Sequence, residues 1–308
     1  MSNPTGEQFE LLSTKGRKVR AVVTEIGAVL RLLEVDGVPL LEGFAADAEP
    51  GMCAGWILAP WPNRIRDAKW SYEGRELQLE VTEPELHNAL HGLLFSLRHE
   101  VLARSRASIT LRARIEPSEG YPFALTVDTT YTVSTEGLAV EHSIGNTGQK
   151  DAPAALGSHP YFRIGDVPAD DLVIRVKAAS RVVVDDRLNP IGTAAVADTP
   201  FDLNHGARVG DLDLDTAYFD LEADSDGYYR HSISAPDGRY IEVWGDESFS
   251  QAQVFTTHVF PTAMGPGIAV AVEPTTAAPD AFNSGDGLRW IAPGDTWHSS
   301  WGISFFNK

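Results

Sequence analysis

The feature that most constrains this chain is an apolar period of two. Leu125, Val127, Thr129, Tyr131 and Val133 alternate with polar neighbours, and residues 17–26, 75–81 and 108–115 repeat the pattern. Such alternation suits a half-buried strand and no helix, because successive side chains of a strand point to opposite faces. Shorter β-branched or aromatic runs follow at 172–176, 181–184, 240–244, 252–255, 268–272 and 299–306, and they read as further strands. Asn146-Thr147-Gly148, Pro236-Asp237-Gly238 and Pro293-Gly294-Asp295 each predict a tight reversal between antiparallel strands. Helix is expected only in short pieces. No linker, low-complexity stretch or fixed-period repeat divides the chain, so the expectation is all-β: one large antiparallel β-sandwich domain over residues 1–308.

Composition narrows the partners. Hydrophobic residues make up 43% and charged residues 22%, which is ordinary for a globular protein and too apolar for a disordered one. The 43 acidic against 25 basic residues give a formal charge of -18, a surface that repels phosphate backbones, so nucleic acid is not expected as a partner. The arginines between Arg98 and Arg114 fall in strand-like alternation and read as a solvated sheet face. Cys53 is the single cysteine and has no internal disulfide partner. The first residues lack a basic stretch followed by an apolar run, and nothing approaches the ~18 consecutive apolar residues of a spanning helix. A cytoplasmic location away from the membrane is the expectation, as a monomer or homodimer.

Several mechanisms are set aside by single residues. Gly265-Pro266-Gly267 begins a dinucleotide fingerprint but has Val270 where the third glycine belongs. His87 and His91 have a helical metal-ligand spacing, yet Asn88 stands where a zinc peptidase needs glutamate. Ser158 is followed two residues on by Pro160, which a nucleophile elbow does not tolerate. No metal and no cofactor is expected.

Five segments are too polar for their surroundings. His159 ends an apolar stretch before Tyr161 and Phe162, and taken alone it reads as a core histidine. An apolar run at 268–272 delivers Glu273, with Pro274 expected to end the pairing; alone it reads as a strand-end acid. Asn63 and Arg64 follow two prolines and a tryptophan, and alone Arg64 would bind a carboxylate elsewhere in the fold. His91 precedes a glycine, and Asp215 lies in an acidic run that reads as a solvated loop.

Together and in this order the segments resemble the aldose 1-epimerase, or galactose mutarotase, family. The resemblance rests on Asn63-Arg64-Ile65, Leu90-His91-Gly92, His159-Pro160-Tyr161-Phe162, Asp215 to Tyr218-Phe219, and Glu273-Pro274 through Ala281-Phe282-Asn283. Gln253-Val254-Phe255-Thr256 and the approach to His159 through Asn146-Thr147-Gly148 also look like the family. The resemblance implies a β-sandwich of the galactose mutarotase type with a small-molecule sugar in an open cleft. It implies His159 as general acid and Glu273 as general base, with Asn63, Arg64, His91, Asp215 and Gln253 as sugar-binding residues; Asp213 is the alternative to Asp215.

Interconverting anomers of a free hexose such as glucose or galactose needs one base for the C1 hydroxyl proton and one acid for the ring oxygen. An ionised glutamate and a histidinium suit those tasks near neutral pH. The expectations are that the two groups face each other across one cleft at ~5–8 Å, as in other two-group sugar sites, and that Trp61, Phe162 and Phe282 cover the sugar's apolar face. The alternatives are a hexose-6-phosphate epimerase, for which only Arg66 and Lys69 lie near the Asn63-Arg64 turn, a non-catalytic carbohydrate-binding module, and a glycoside hydrolase using Asp215 and Glu273.

Overall fold

Strand Leu125–Val133 alternates as its sequence requires, with Leu125, Val127, Thr129, Tyr131 and Val133 buried and the residues between them half-buried. In the computed structural model, which describes residues 3–262 and 265–307, this strand lies inside a nine-stranded sheet. Residues 1–2, 263–264 and 308 of the expected 1–308 domain lie outside the described residues. Ser108–Ile115 and Gly137–Asn146 flank the strand, and Thr296–Phe306 follows, all antiparallel. An eight-stranded antiparallel sheet has Asp215–Leu221, Gln251–Thr262 and Gly265–Thr275 at its centre.

The two sheets bury their apolar faces in one continuous cluster. Val127, Tyr131, Val140, Ile241, Trp301 and Ile303 enter it from the nine-stranded sheet, and Tyr218, Ala252, Val254, Val270 and Val272 from the eight-stranded one. A four-stranded sheet, Gln8–Leu12 to Val38–Pro39, adds Phe9, Leu11 and Val19. This is the large antiparallel β-sandwich expected. Among the described residues the only α-helix is Ala281–Ser284, and no helix is long and apolar enough to cross a membrane.

The turn readings divide. Pro236-Asp237-Gly238 joins Tyr229–Ser234 to its partner Tyr240–Gly245 and is a true hairpin. The other two are not: after Asn146 and before Thr296 the chain passes to the separate pair Ala152–Ala154 with Arg289–Ile291. Asn146 explains the departure. Its side-chain amide donates to the carbonyls of Lys150 at 2.7 Å and Ile291 at 2.6 Å, and its backbone N–H and C=O bond Asp295 and Gly294, so the two segments tie each other down instead of each closing a hairpin. Pro274 also fails to end its strand, since Ala252 and Gln251 pair with Pro274 and Thr275. On its other flank the pairing stops at Ala271 and resumes at Thr275, so Pro274 stands where that flank has no ladder partner to lose.

Burial ranks the strands by cost. Ile303→Ala, at a fully buried position in the cluster, should lower unfolding stability by about 2–5 kcal/mol in urea titration. Ile191→Ala, at a position 63% exposed, should change it by less than ~0.5 kcal/mol.

Candidate functional site

Both faces of the central strands of the eight-stranded sheet are covered, but by different chemistry. Val254 and Val272 point into the sandwich, and their neighbours Gln253, Phe255, Ala271 and Glu273 point outward. Register fixes which outward groups meet. Gln253 lies opposite Glu273, Phe255 opposite both Ala271 and Asp215, and directly opposed residues share a face. That face is the floor of a cleft of about 170 Å³ lined by Met52, Cys53, Asn63, Arg64, Leu90, His91, His159, Tyr161, Asp215, Gln253, Phe255 and Glu273.

The walls come from loops held by backbone bonds. His159 follows Gly157–Ser158 and precedes Tyr161–Phe162, which pairs with Ala271 and Val270; its own N–H and C=O are taken by Trp56 and Gly55. Arg64–Ile65 pairs with Ala89–Leu90. The Asn63 N–H donates to His91 Nδ1 at 3.1 Å, and the His91 N–H donates back to the Asn63 carbonyl at 2.9 Å. Met52, Cys53, Asn63 and His91 all have positive φ, a left-handed conformation costing of order 1–3 kcal/mol each that persists only where surroundings impose it. Gly92 follows because a Cβ there would run into the Ala59 carbonyl.

All seven site residues named from the sequence meet in this cleft, Asp215 among them, whereas Asp213 is exposed outside it. His87 is exposed in a turn and forms no helical pair with His91. Trp61, Phe162 and Phe282 do not line the cleft. They are buried in the main core, where Trp61 and Phe282 meet edge to face at 5.4 Å, and the cleft's aromatic residues are Tyr161 and Phe255. The expected separation of the acid and base also needs correction: His159 Nε2 lies 3.4 Å from Glu273 Oε1. No ring fits between them, and none has to, because the hydroxyl oxygen and ring oxygen of a cyclic sugar are bonded to the same carbon.

Electrostatics reverses the expected charge states of the site. Side-chain exposure is 7% for His159 and 2% for Glu273. Burial, helped by the Arg64 charge, lowers the His159 pKa to about 4. Burial first, then the nearby Asp215, raises the Glu273 carboxyl well above its ordinary range, against a smaller opposing pull from Arg64. Burial thus favours the neutral form of each group, imidazole for His159 and carboxyl for Glu273. His91 is held neutral by burial, then by His159 and Arg64. Burial pushes the Cys53 thiol up to about 12, so it is an inert part of the wall.

Arg64 is the buried cation. Its Nε lies 2.9 Å and 3.2 Å from the two Glu83 oxygens, its Nη2 2.9 Å from Glu83, and its Nη1 3.3 Å from Asp215. Burial alone would lower the guanidinium pKa; the hydrogen bonds and charge of Glu83, with Asp215, outweigh it and raise it. Gln253 Nε2 donates to Asp215 Oδ1, leaving Gln253 Oε1 buried without a donor among the described residues. Glu83 was missed in the sequence, where it stands in the polar segment Thr82-Glu83-Pro84-Glu85 and nothing distinguishes it from a solvated loop acid.

His91, His159 and Glu273 bring one ligand atom each to within 4.8 Å of one another, a spacing that suits a metal. The donor set does not. Because the Asn63 N–H donates to His91 Nδ1, the ring proton is on Nε2, which makes that nitrogen a hydrogen-bond donor and not a ligand. Burial also disfavours the Glu273 carboxylate that a metal would need.

A family model described as aldose 1-epimerase matches residues 10–304. The Escherichia coli K12 protein YihR, itself uncharacterized, is 27% identical over 281 residues, 89% of this chain and 86% of its own. Among solved structures, a Caenorhabditis elegans GalM/aldose epimerase homologue superposes with a TM-score of 0.82 at 21% identity, covering 98% of this chain and 99% of that one. A putative aldose 1-epimerase of E. coli K12 gives 0.81 at 20% identity, covering 97% and 99%. At those identities the shared property is the fold, a β-sandwich of the galactose mutarotase type.

The charge states are directly measurable. Nitrogen-edited NMR of the imidazoles should find His159 neutral at pH 6 and protonating near pH 4; a midpoint above 6 would contradict the effect assigned to burial.

Proposed function

Because the chain belongs to the aldose 1-epimerase family, we propose that it interconverts the α and β anomers of a free hexose such as glucose or galactose, with His159 and Glu273 as the acid and base. The observation that carries the reading is the 3.4 Å approach of His159 Nε2 to Glu273 Oε1 at the floor of a buried cleft. Glu273 takes the proton of the C1 hydroxyl while His159 gives one to the ring oxygen, and the C1–O5 bond breaks to an open-chain aldehyde. After rotation about C1–C2 both transfers run backwards and the ring closes as the other anomer. No net proton is gained or lost.

The neutral pair is one proton shift from the working one. Carboxyl plus imidazole and carboxylate plus imidazolium hold the same single proton, so the pair titrates as a unit. Sugar hydroxyls that donate to Glu273 would favour its carboxylate and so move the proton to His159. Asn63, Arg64, His91, Asp215 and Gln253 bind the sugar in this reading. The His91 Nε2–H is a fixed donor, and the Gln253 Oε1 is an acceptor in need of a donor, both suited to hydroxyl groups. Tyr161 and Phe255 offer apolar surface.

A free sugar suits the site better than its phosphate. Arg66 is occupied by Asp185, Asp280 and the Pro190 carbonyl, Lys69 by Glu76, and Arg64 by two carboxylates. A glycoside hydrolase reading has less support, since Asp215 is already bonded to Gln253 and Arg64.

Polarimetry of freshly dissolved α-glucose and α-galactose tests the activity, and rotation no faster than the buffer's would remove it. Glu273→Gln and His159→Asn should each slow mutarotation by ~10²–10⁴-fold with sugar binding less affected; near-normal turnover in Glu273→Gln would overturn the assignment of the base.

The pH profile should be bell-shaped and extended on the acid side. Below pH about 4 the pair gains a second proton on His159, so Glu273 stays protonated and no base remains. At high pH the single proton is lost and no acid remains; the raised Glu273 pKa moves that limb upward. Activity should thus persist at pH 5, and a fall centred near 6.5 would show an ordinary, solvated histidine.

A further inference from the structure

Glu83 forms no hydrogen bond with His159 or Glu273 among the described residues, yet it holds Arg64, the one guanidinium or ammonium group among the described residues that line the cleft. Its carboxylate takes Nε and Nη2 of Arg64, leaving Nη1 for Asp215, so all three guanidinium nitrogens already face carboxylate oxygens. The pairing is enclosed, with side-chain exposures of 11% for Arg64 and 15% for Glu83. Its geometry is set from the backbone: Glu83 and Asn88 bridge each other, Thr82 Oγ1 accepts the Leu90 N–H at 2.8 Å, and the same segment continues into His91. Asn88 is itself buried, accepting the Asp67 N–H and donating to the Arg187 carbonyl. The loop that supplies His91 therefore also supplies the counter-ion of Arg64.

We propose that Glu83 is a positioning and specificity-determining residue that commits the cleft to neutral sugars by orienting Arg64 and cancelling its charge. One guanidinium against Glu83 and Asp215 leaves the rim without a cation to offer a phosphate or carboxylate substituent. An anionic sugar would have to displace a two-point carboxylate already desolvated with its partner, which a neutral hydroxyl at Nη1 does not require. Without Glu83, Arg64 would swing its Nε and Nη2 donors toward the cleft. The proposal rests on the sugar-epimerase reading of this site.

The test compares Glu83→Gln and Glu83→Asp with the wild type. For each, polarimetry gives KM and kcat for glucose, and glucose 6-phosphate and glucuronate are assayed as competing ligands. Glu83→Gln keeps size but loses charge. Its glucose KM should rise more than its kcat falls, and the ratio of the glucose 6-phosphate inhibition constant to the glucose KM should drop by about tenfold or more, the scale of one charge-assisted hydrogen bond. Glu83→Asp keeps the charge but falls short of Arg64, so its glucose KM should rise while anionic sugars stay excluded. A purely structural Glu83 would lower thermal stability in both variants and leave that selectivity ratio unchanged, which overturns the proposal. If Glu83→Gln does not fold, Glu83→Asp decides: a wild-type glucose KM, or tight binding of glucose 6-phosphate, overturns it. Calorimetric binding of glucose and glucose 6-phosphate is measured alongside. A wild type that binds glucose without turning it over refutes the epimerase reading yet still lets the Glu83 selectivity be read, and a wild type that prefers the phosphate refutes the Glu83 proposal directly.

Discussion

The register between Gln251–Thr262 and Gly265–Thr275 is the constraint on which the rest depends. With Gln253 opposite Glu273, Val254 meets Val272 on the core side, and the polar pair lies outward beside Phe255 and Ala271. A slip of one residue on one strand would turn its polar set into the sandwich and its valines into the cleft. The core thus holds the site in place: the apolar face permits one pairing, and that pairing aligns Gln253, Glu273 and, through Asp215–Leu221, Asp215. The small side chains of Ala269 and Ala271 on the outer face leave room for Tyr161, which packs on Phe260 at 4.6 Å and donates its hydroxyl to the Met52 carbonyl.

Enclosing so many ionisable groups has two possible outcomes, and the cleft shows both. A buried charge must be paired or must give up its ionisation. Arg64 cannot lose its proton at any ordinary pH, so it is surrounded by Glu83 and Asp215. His159 and Glu273 can give up their charge, the imidazole by losing a proton and the carboxyl by keeping one, because burial outweighs the smaller pull of Arg64 on Glu273. Removing water thus divides the cleft into a fixed ion cluster and a pair whose one proton is free to move. Two groups poised in this way suit acid and base chemistry in both directions, since neither is locked in a charged state beforehand.

Much of this was legible in the sequence. Period-two runs such as 108–115 and 125–133 coincide with strands to the residue, because a sheet with one buried face imposes that period directly. The site residues were found through short motifs in a fixed order, and the cleft unites all seven. Other features depend on contacts that no local pattern encodes. Asn146-Thr147-Gly148 has turn composition, but whether it closes a hairpin depends on Ile291 and Lys150, which receive its side chain. Trp61 and Phe282 belong to or lie near the motifs yet pack on each other in the core, a contact between segments far apart in sequence. Arg64 read alone needs a carboxylate partner; which of the 43 acids supplies it is a fact of folding, not of sequence. Burial likewise decides the His159 and Glu273 protons, and residue type alone suggests the opposite assignment.

The strained backbone around the cleft follows from the same economy of parts. Asn63 and His91 both adopt left-handed conformations, and each supplies the bond that holds the other: one N–H to an imidazole nitrogen, one N–H to a carbonyl. Asparagine tolerates that region because its short side chain can bond locally, and here Asn63 Oδ1 accepts the Arg64 N–H at 2.8 Å. Histidine has no such compensation, so its strain is sustained by the mutual latch and by Gly92 passing close to Ala59. The latch fixes more than geometry. By occupying Nδ1 it sets the His91 tautomer, so a backbone N–H determines that this ring donates and does not accept at Nε2. The donors and acceptors of the cleft are therefore set before a ligand enters, and binding need not spend ordering entropy to arrange them.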